Sequence, residues 1–320
     1  MKYPFHAVVE KDFSAVDRLI IDRLCSRVPL VEEIGHYLVE AGGKRLRPLV
    51  VLLTTNACGY LGKDRLKLAA VIEFLHTAML LHDDVVDASN LRRGRETVNA
   101  AWGNPASVLV GDFLHSRAFE MMVEIGHMKV MQILSHSTNI IAEGEVQQLA
   151  NLGNPHITEK IYLQVIKRKT ATLFQAASHS AVALSGQVEN EQVLSDFGLH
   201  LGMAFQLIDD VLDYEGSTEL LGKNIGDDLA EGKVTLPLIV TMRDGNKKEA
   251  QIVRTAIQQR SAENLTEIVR IVQSNGALDY TRELANTERN LAREMVCHLP
   301  ASSYRDNMIA LADFAVTREY

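Results

Sequence analysis

The sequence predicts an all-α fold, and three observations carry that reading. From Val8 onward apolar side chains recur mostly at three- and four-residue intervals, as in Phe13, Val16, Leu19, Ile20 and Leu24, which is the stripe of an amphipathic helix. Apolar-polar alternation with a period of two, the mark of a half-buried strand, is scarce. Helix breakers punctuate the chain at helix-length intervals.

Taken in order, Pro29 opens a helical segment at a position where a first turn tolerates proline, and Gly42-Gly43 closes it. Pro48 sits in the first turn of the next segment, which Gly59 ends. Later breaks fall at Asn104-Pro105, at Leu152-Gly153-Asn154-Pro155 and at Ser185-Gly186. Thr235 has the chemistry of an N-cap, with Pro237 in the turn that follows it. The count is roughly ten to fourteen helices with short connections, and only the stretch 215–233 reads as a long loop, a kind of segment that is often functional. No composition shift or low-complexity run marks a boundary, so a single domain spanning 1–320 is expected.

With 47% hydrophobic and 23% charged residues among 320, the composition is that of a globular protein with an extensive core. A net charge of −8 argues against a nucleic-acid binder, whose affinity rests on clustered Lys and Arg. Cys25, Cys58 and Cys297 are odd in number, widely spaced and without any C-x-x-C pair, which suggests neither a disulfide framework nor a zinc site. No apolar run approaches a membrane span, the first residues lack a signal-peptide core, and Glu10 and Asp12 speak against a transit peptide. A cytoplasmic protein is expected.

The chemistry concentrates in two acidic motifs. Leu80-Leu81-His82-Asp83-Asp84-Val85-Val86-Asp87 sets three carboxylates within an apolar run, and Leu207-Ile208-Asp209-Asp210-Val211-Leu212-Asp213 repeats the order. Carboxylates among large aliphatics are costly to desolvate unless something positive neutralises them, and neither run contains a Lys or Arg. On a helix Asp83 and Asp87 share one face one turn apart, as do Asp209 and Asp213, with Gln206 a further turn back. All-oxygen ligands suit Mg²⁺, which keeps waters and is completed by substrate phosphate oxygens. Two such helices facing each other would hold metal around a diphosphate. One D-D-x-x-D alone fits a solvated acidic patch; two copies flanked by Leu, Ile and Val do not.

Basic residues supply the complement. Gly42-Gly43-Lys44-Arg45-Leu46-Arg47-Pro48 and Arg92-Arg93-Gly94-Arg95 each carry three cations, the usual binders of phosphate oxygens, and point to a second, metal-free phosphate site. His76 lies two turns before Asp83 on the same face. Lys169-Thr170 sits in an otherwise apolar segment, and Lys223 and Lys233 lie in the long loop. Gly216 to Lys223 and Gly226 to Lys233 have one residue too many for a P-loop, and neither Lys is followed by Ser or Thr.

With these motifs the chain resembles the trans-isoprenyl (polyprenyl) diphosphate synthases along nearly its whole length. The resemblance rests on G-G-K-R-L-R-P, F-L-H-x-x-x-L-L-H-D-D-V-V-D with R-R-G after it, Val110 to Phe113, the K-T pair, F-Q-L-I-D-D-x-L-D and the run Gly222 to Lys233. It implies long antiparallel helices around a deep cavity, and a homodimer. It implies that Asp83, Asp84, Asp87, Asp209, Asp210 and Asp213 are catalytic, with Asp83, Asp87 and Asp209 as Mg²⁺ ligands. Lys44, Arg47, His76 and Arg93 would bind isopentenyl diphosphate. Arg92, Lys169, Thr170, Gln206, Lys223 and Lys233 would bind the allylic diphosphate. The implied reaction extends farnesyl diphosphate by successive condensations to a long all-trans product of octaprenyl length, the side chain of a quinone.

Product length is read from the helix before the first motif. Met79 lies one turn below Asp83, Ala78 flanks it and Leu75 is two turns down, so this face should line the product channel, and no aromatic residue blocks it. In the family, bulky aromatics at the positions of Ala78 and Met79 go with short products. Met122 is the candidate floor by resemblance, or else an ordinary core methionine.

Other readings have their own signals. Glu33/His36, Glu73/His76 and Glu124/His127 all have the E-x-x-H spacing of di-iron helical proteins, a reading that leaves both aspartate motifs unexplained. A non-catalytic subunit of a two-protein synthase tends to lack parts of motifs that are complete here. A terpene cyclase would not need the two arginine clusters.

Overall fold

A computed structural model describes residues 4–215, 226–261 and 263–318. Among them the fold is all-α. The helices run α1 (Pro4–Ala7), α2 (Glu10–Leu24), α3 (Pro29–Glu40), α4 (Leu46–Ala57), α5 (Asp64–Val86), α6 (Val98–Trp102), α7 (Asn104–Ile125), α8 (Met128–Asn151), α9 (Glu159–Ile166), α10 (Thr172–Ser185) and α11 (Glu191–Glu215). They continue with Asp227–Ala230, Leu236–Asp244, Lys247–Gln259, Leu265–Ser274, Ala277–Cys297 and Ser303–Thr317. Fourteen have eight residues or more, at the top of the range read from the breakers.

The breakers act where the sequence puts them. Pro29 is the first residue of α3, and Asn104-Pro105 opens α7. Thr235 takes the N-cap position with Pro237 just inside, though without a side-chain cap bond. The long loop is not irregular throughout, because Asp227–Ala230 is helical; its residues 216–225, Lys223 included, lie outside the described residues.

The chain gathers into two compact units. One comprises Met1–Ser137, Leu173–Gly198 and Arg293–Leu311, the other Thr138–Thr172, Leu199–Ala292 and Ala312–Tyr320. Every crossing between them falls inside a helix, which is why no linker composition marks the division. In the first unit α5 packs against α7, α4 and α2. Helix α4 is buried from Pro48 to Asn56, as expected of a helix apolar all round. The core of the second unit is built from Tyr162, Leu207, Val211, Tyr214, Leu236, Ile257 and Ile268 with their neighbours.

Two local structures depart from simple helices, and both carry functional candidates. Leu91–Arg92 and Arg95–Glu96 form an antiparallel hairpin around Arg93-Gly94. Both central residues have positive φ, 54° and 72°, the requirement of a type I′ turn. Lys167–Ala171 forms a π-helical turn between α9 and α10, a distortion frequent at functional sites.

Candidate active site

In the first unit, α5 brings the acidic motif and its neighbours onto one rod. Asp83 and Asp87 are half-buried and one turn apart, the Asp87 N–H donating to the Asp83 carbonyl at 2.8 Å. Asp84 turns inward with 3% exposure. Its Oδ1 accepts from Arg92 Nε and Nη2 at 2.8 and 2.7 Å, a charge-assisted pair of the strong kind. Burial works against the Arg92 charge, but the bonds to Asp84 and the charges of Asp83 and Asp87 outweigh it and raise its pKa.

The basic loop folds against the same helix. Arg45 takes the N-cap of α4 in the left-handed region, φ 45°, and pairs with Asp17 while its Nε lies 4.0 Å from Glu73 Oε1. Arg93 donates to the Gly42 carbonyl, and a Cβ on Gly43 would stand 2.6 Å from Arg93 Nη1, so glycine there lets the hairpin tip close onto the loop. Lys44 in that loop is half-buried. Among the described residues the non-glycine positions with positive φ are Arg45, Ala88, Arg93 and Arg260. Three of the four flank this site, where strain is commonly stored for function.

Arg47 lies flat over Phe174, its guanidinium carbon 4.2 Å from the ring centroid, and its Nη1 meets His76 Nε2 at 3.2 Å. Burial, with Arg47, Arg93 and Arg92 beside it, holds the His76 imidazole well below its usual pKa. Arginine has only donors, so His76 accepts through Nε2 and carries its proton on Nδ1. Burial lifts the Glu73 carboxyl above its usual range despite Arg45, Arg93 and Arg47. The cluster therefore gathers guanidinium charge next to a neutral imidazole, an arrangement suited to a diphosphate.

Leu75 and Ala78 are buried, Met79 is half-buried and Met122 is buried in α7. The E-x-x-H pairs do not converge on iron. Arg23 makes a two-pronged bond to Glu124 at 2.6 Å, Glu33 accepts from Trp102 Nε1 at 3.4 Å, and Glu73 faces Arg45.

In the second unit, α11 carries the second motif. Asp209 is the accessible member, its side chain 40% exposed, and its Oδ1 accepts from Arg318 at 2.6 Å. Asp213 is sealed at 0% exposure, so Asp209 and Asp213 do not present the equivalent pair that spacing alone suggests. Asp210 is 1% exposed and accepts from the Tyr162 hydroxyl at 2.5 Å and from Gln206 at 2.8 Å. Burial, with the charge of Asp228, pushes its pKa to about 7 against those donors. The Thr170 hydroxyl donates to Gln206 Oε1 at 2.9 Å. Lys169 pairs with Glu145 at 2.7 Å, and Lys233 with Glu231 at 2.5 Å. A pocket in this unit is lined by Tyr162, Lys169, Thr170, Gln206, Asp210, Asp228 and Lys233.

Glycines set the π turn in place. A Cβ on Gly202 of α11 would lie 2.6 Å from Ala171 Cα, and one on Gly144 of α8 would lie 3.0 Å from the Lys169 amide nitrogen. Backbone thus meets backbone on both sides of the Lys169-Thr170 pair.

Sequence reading missed Tyr162, Arg318 and Phe174, and it placed Glu73 only in an E-x-x-H pair. Tyr162 leaves a trace, since it lies two helical turns before Lys169. Arg318 leaves none.

A divalent cation fits the donor set. Asp83 and Asp87 in the first unit, and Asp209 in the second, are hard oxygen donors of the kind such a cation takes.

Comparison with known proteins gives the family. Residues 28–273 match the Polyprenyl synthetase family. The octaprenyl diphosphate synthase of Escherichia coli (strain K12) is 48% identical over 97% of this chain and 96% of its own. The all-trans-nonaprenyl-diphosphate synthase (geranyl-diphosphate specific) of Rhodobacter capsulatus is 47% identical over 98% of this chain and 96% of its own. In structure the chain is similar to a polyprenyl synthase from Caulobacter crescentus CB15 complexed with calcium and isoprenyl diphosphate. That likeness has a TM-score of 0.96 at 44% identity, over 99% of this chain and 97% of that one.

Proposed function

This chain belongs to the polyprenyl synthetase family, and from that premise we propose that it is a long-chain all-trans polyprenyl diphosphate synthase of octaprenyl length. It adds isopentenyl diphosphate repeatedly to an allylic primer, farnesyl diphosphate, and its product supplies a quinone side chain. The observation that carries this reading is the pairing, along α5 and its neighbours, of accessible Asp83 and Asp87 with the Arg45, Arg47 and Arg93 cluster around neutral His76. One end suits a metal-bound diphosphate, the other a metal-free one.

In this mechanism Asp83, Asp87 and Asp209 would hold Mg²⁺, and Arg92, Lys169, Thr170, Gln206, Lys223 and Lys233 would hold the allylic diphosphate. Mg²⁺, when bound there, would supply Lewis acidity to the leaving diphosphate, so that breaking the C1–O bond would need no protein acid. Lys169 and Lys233 are held near the site by Glu145 and Glu231 and would exchange those carboxylates for phosphate oxygens on binding. Lys44, Arg47, His76 and Arg93 orient isopentenyl diphosphate so that its double bond faces C1. A new C–C bond forms, the released diphosphate takes the proton, and the product is one isoprene unit longer. Apolar residues, Leu75, Ala78 and Met79 among them, keep water from the cation.

We read residues 1–320 as one functional domain working in the cytoplasm; no described helix is long and apolar enough to cross a membrane. A homodimer is supported by the exposed apolar side chains Leu109 and Val123 on α7 and Met128 just after it.

The purified chain should turn over farnesyl and isopentenyl diphosphates with Mg²⁺ and stop when the metal is chelated. Asp83→Ala and Asp209→Ala should each lose about a hundredfold or more in kcat/KM while keeping the fold by circular dichroism, the scale of removing a group that stabilises developing charge. No condensation by the wild-type chain alone would indicate a subunit that needs a partner, and near-normal turnover in either variant would remove the two-motif mechanism.

A further inference from the structure

We propose that Tyr162 is a positioning residue for the second aspartate motif, acting through Asp210 to lock α11 to the segment that carries Lys169 and Thr170. The inference rests on the functional reading above and adds to it a residue that acts on the second motif through Asp210.

The observation is a continuous hydrogen-bonded chain. The Tyr162 hydroxyl donates to Asp210 Oδ2 at 2.5 Å, Gln206 donates to Asp210 Oδ1 at 2.8 Å, and Thr170 donates to Gln206 Oε1 at 2.9 Å. Both oxygens of Asp210 are engaged from within the protein, and its side chain is shut away from solvent. Asp210 is therefore an anchor for the motif, and its accessible neighbour Asp209 is the member that can face a cation.

The two ends of the chain lie on one continuous segment. Tyr162 belongs to α9 and Thr170 to the π turn that follows it, eight positions later, while their targets Asp210 and Gln206 are one turn apart on α11. In an uninterrupted α-helix eight positions rotate a side chain by about 80° beyond two full turns. The π turn changes that phase, and the close approach of Ala171 to Gly202 fixes the distance between the backbones. Tyr162 and Thr170 thus grip α11 at two levels. Without the Tyr162 hydroxyl, Oδ2 of a buried carboxylate loses its donor, the costly kind of hydrogen-bond loss.

The test is Tyr162→Phe, which keeps the ring and removes only the donor. Mn²⁺ binding in the presence of inorganic diphosphate is followed by electron paramagnetic resonance, alongside steady-state kinetics. The expected result is about tenfold weaker Mn²⁺ binding and a KM for the allylic diphosphate raised about as much, the scale of losing an outer-shell partner. The KM for isopentenyl diphosphate should stay within about twofold, and in an Asp210→Asn background Tyr162→Phe should have little further effect, as coupled residues behave. Equal shifts of both KM values, unchanged Mn²⁺ binding, or an undiminished effect in the Asp210→Asn background would overturn the proposal. So would failure of Tyr162→Phe to fold, since the contact would then be holding the core. If the wild-type chain condensed no prenyl substrates the proposed function would fall, while the Mn²⁺ and diphosphate titration would still decide the role of Tyr162.

Discussion

Asp84 and Asp210 hold the same place in the two motifs, and each turns into its own unit to meet a donor, Arg92 in one case and Tyr162 with Gln206 in the other. The spacing in the sequence tells which residues share a helix face, so Asp83 and Asp87 were legible as an accessible pair. It does not tell how deep a face is buried, and Asp213, in register with Asp209, is sealed. Partners brought from distant segments, such as Arg318 on Asp209, leave no local signal at all. His76 gives a pH prediction at this scale. Its imidazole is held below the usual value of about 6.5 by burial and by Arg47, Arg93 and Arg92. Below that pH the unfolded chain binds a proton that the folded one refuses, so acid favours unfolding. Relative to His76→Gln, the wild-type protein should lose up to about 1.4 kcal/mol of stability per pH unit as pH falls below about 6.5, with no such differential above about 7.5. Urea unfolding of both proteins at pH 7.5 and 5.5 measures this; parallel losses would mean that His76 accepts its proton freely.

At the scale of elements, α5 joins the two halves of the chemistry. From Leu75 and His76 through Met79 to Asp83, with Asp87 at its C-cap, one helix carries the proposed channel wall, phosphate ligand and metal ligands at intervals of one turn or two. That much follows from helical periodicity, as do the ends of α3 and the start of α7, because proline and glycine act locally. Elements fixed by tertiary contact were not legible. Arg92-Arg93-Gly94-Arg95 reads as a basic run, yet folds as a hairpin whose positive φ at Arg93 closes it onto Gly42. The π turn at Lys167–Ala171 depends on glycines at 144 and 202, far away in sequence. If the α5 face lines the product channel, Met79→Phe narrows it one turn below Asp83. Chromatography of the products should then show shorter chains at similar total incorporation of isopentenyl diphosphate, and an unchanged length distribution would take Met79 out of the wall.

At the scale of the molecule, an acidic chain of net charge −8 concentrates cations where a diphosphate would need them, and its all-α architecture follows from a composition rich in periodic apolar residues and poor in breakers. The division into two compact units was hidden because the chain crosses between them within helices, without a change of composition. The similarity to octaprenyl and nonaprenyl synthases and the absence of an aromatic plug at Ala78 and Met79 both favour a long product. The most direct test is to incubate the purified chain with farnesyl diphosphate, excess isopentenyl diphosphate and Mg²⁺, and to size the dephosphorylated products. The account predicts a distribution that peaks at the octaprenyl alcohol, and a reaction that stops at geranylgeranyl length, or yields no elongated product, would contradict it.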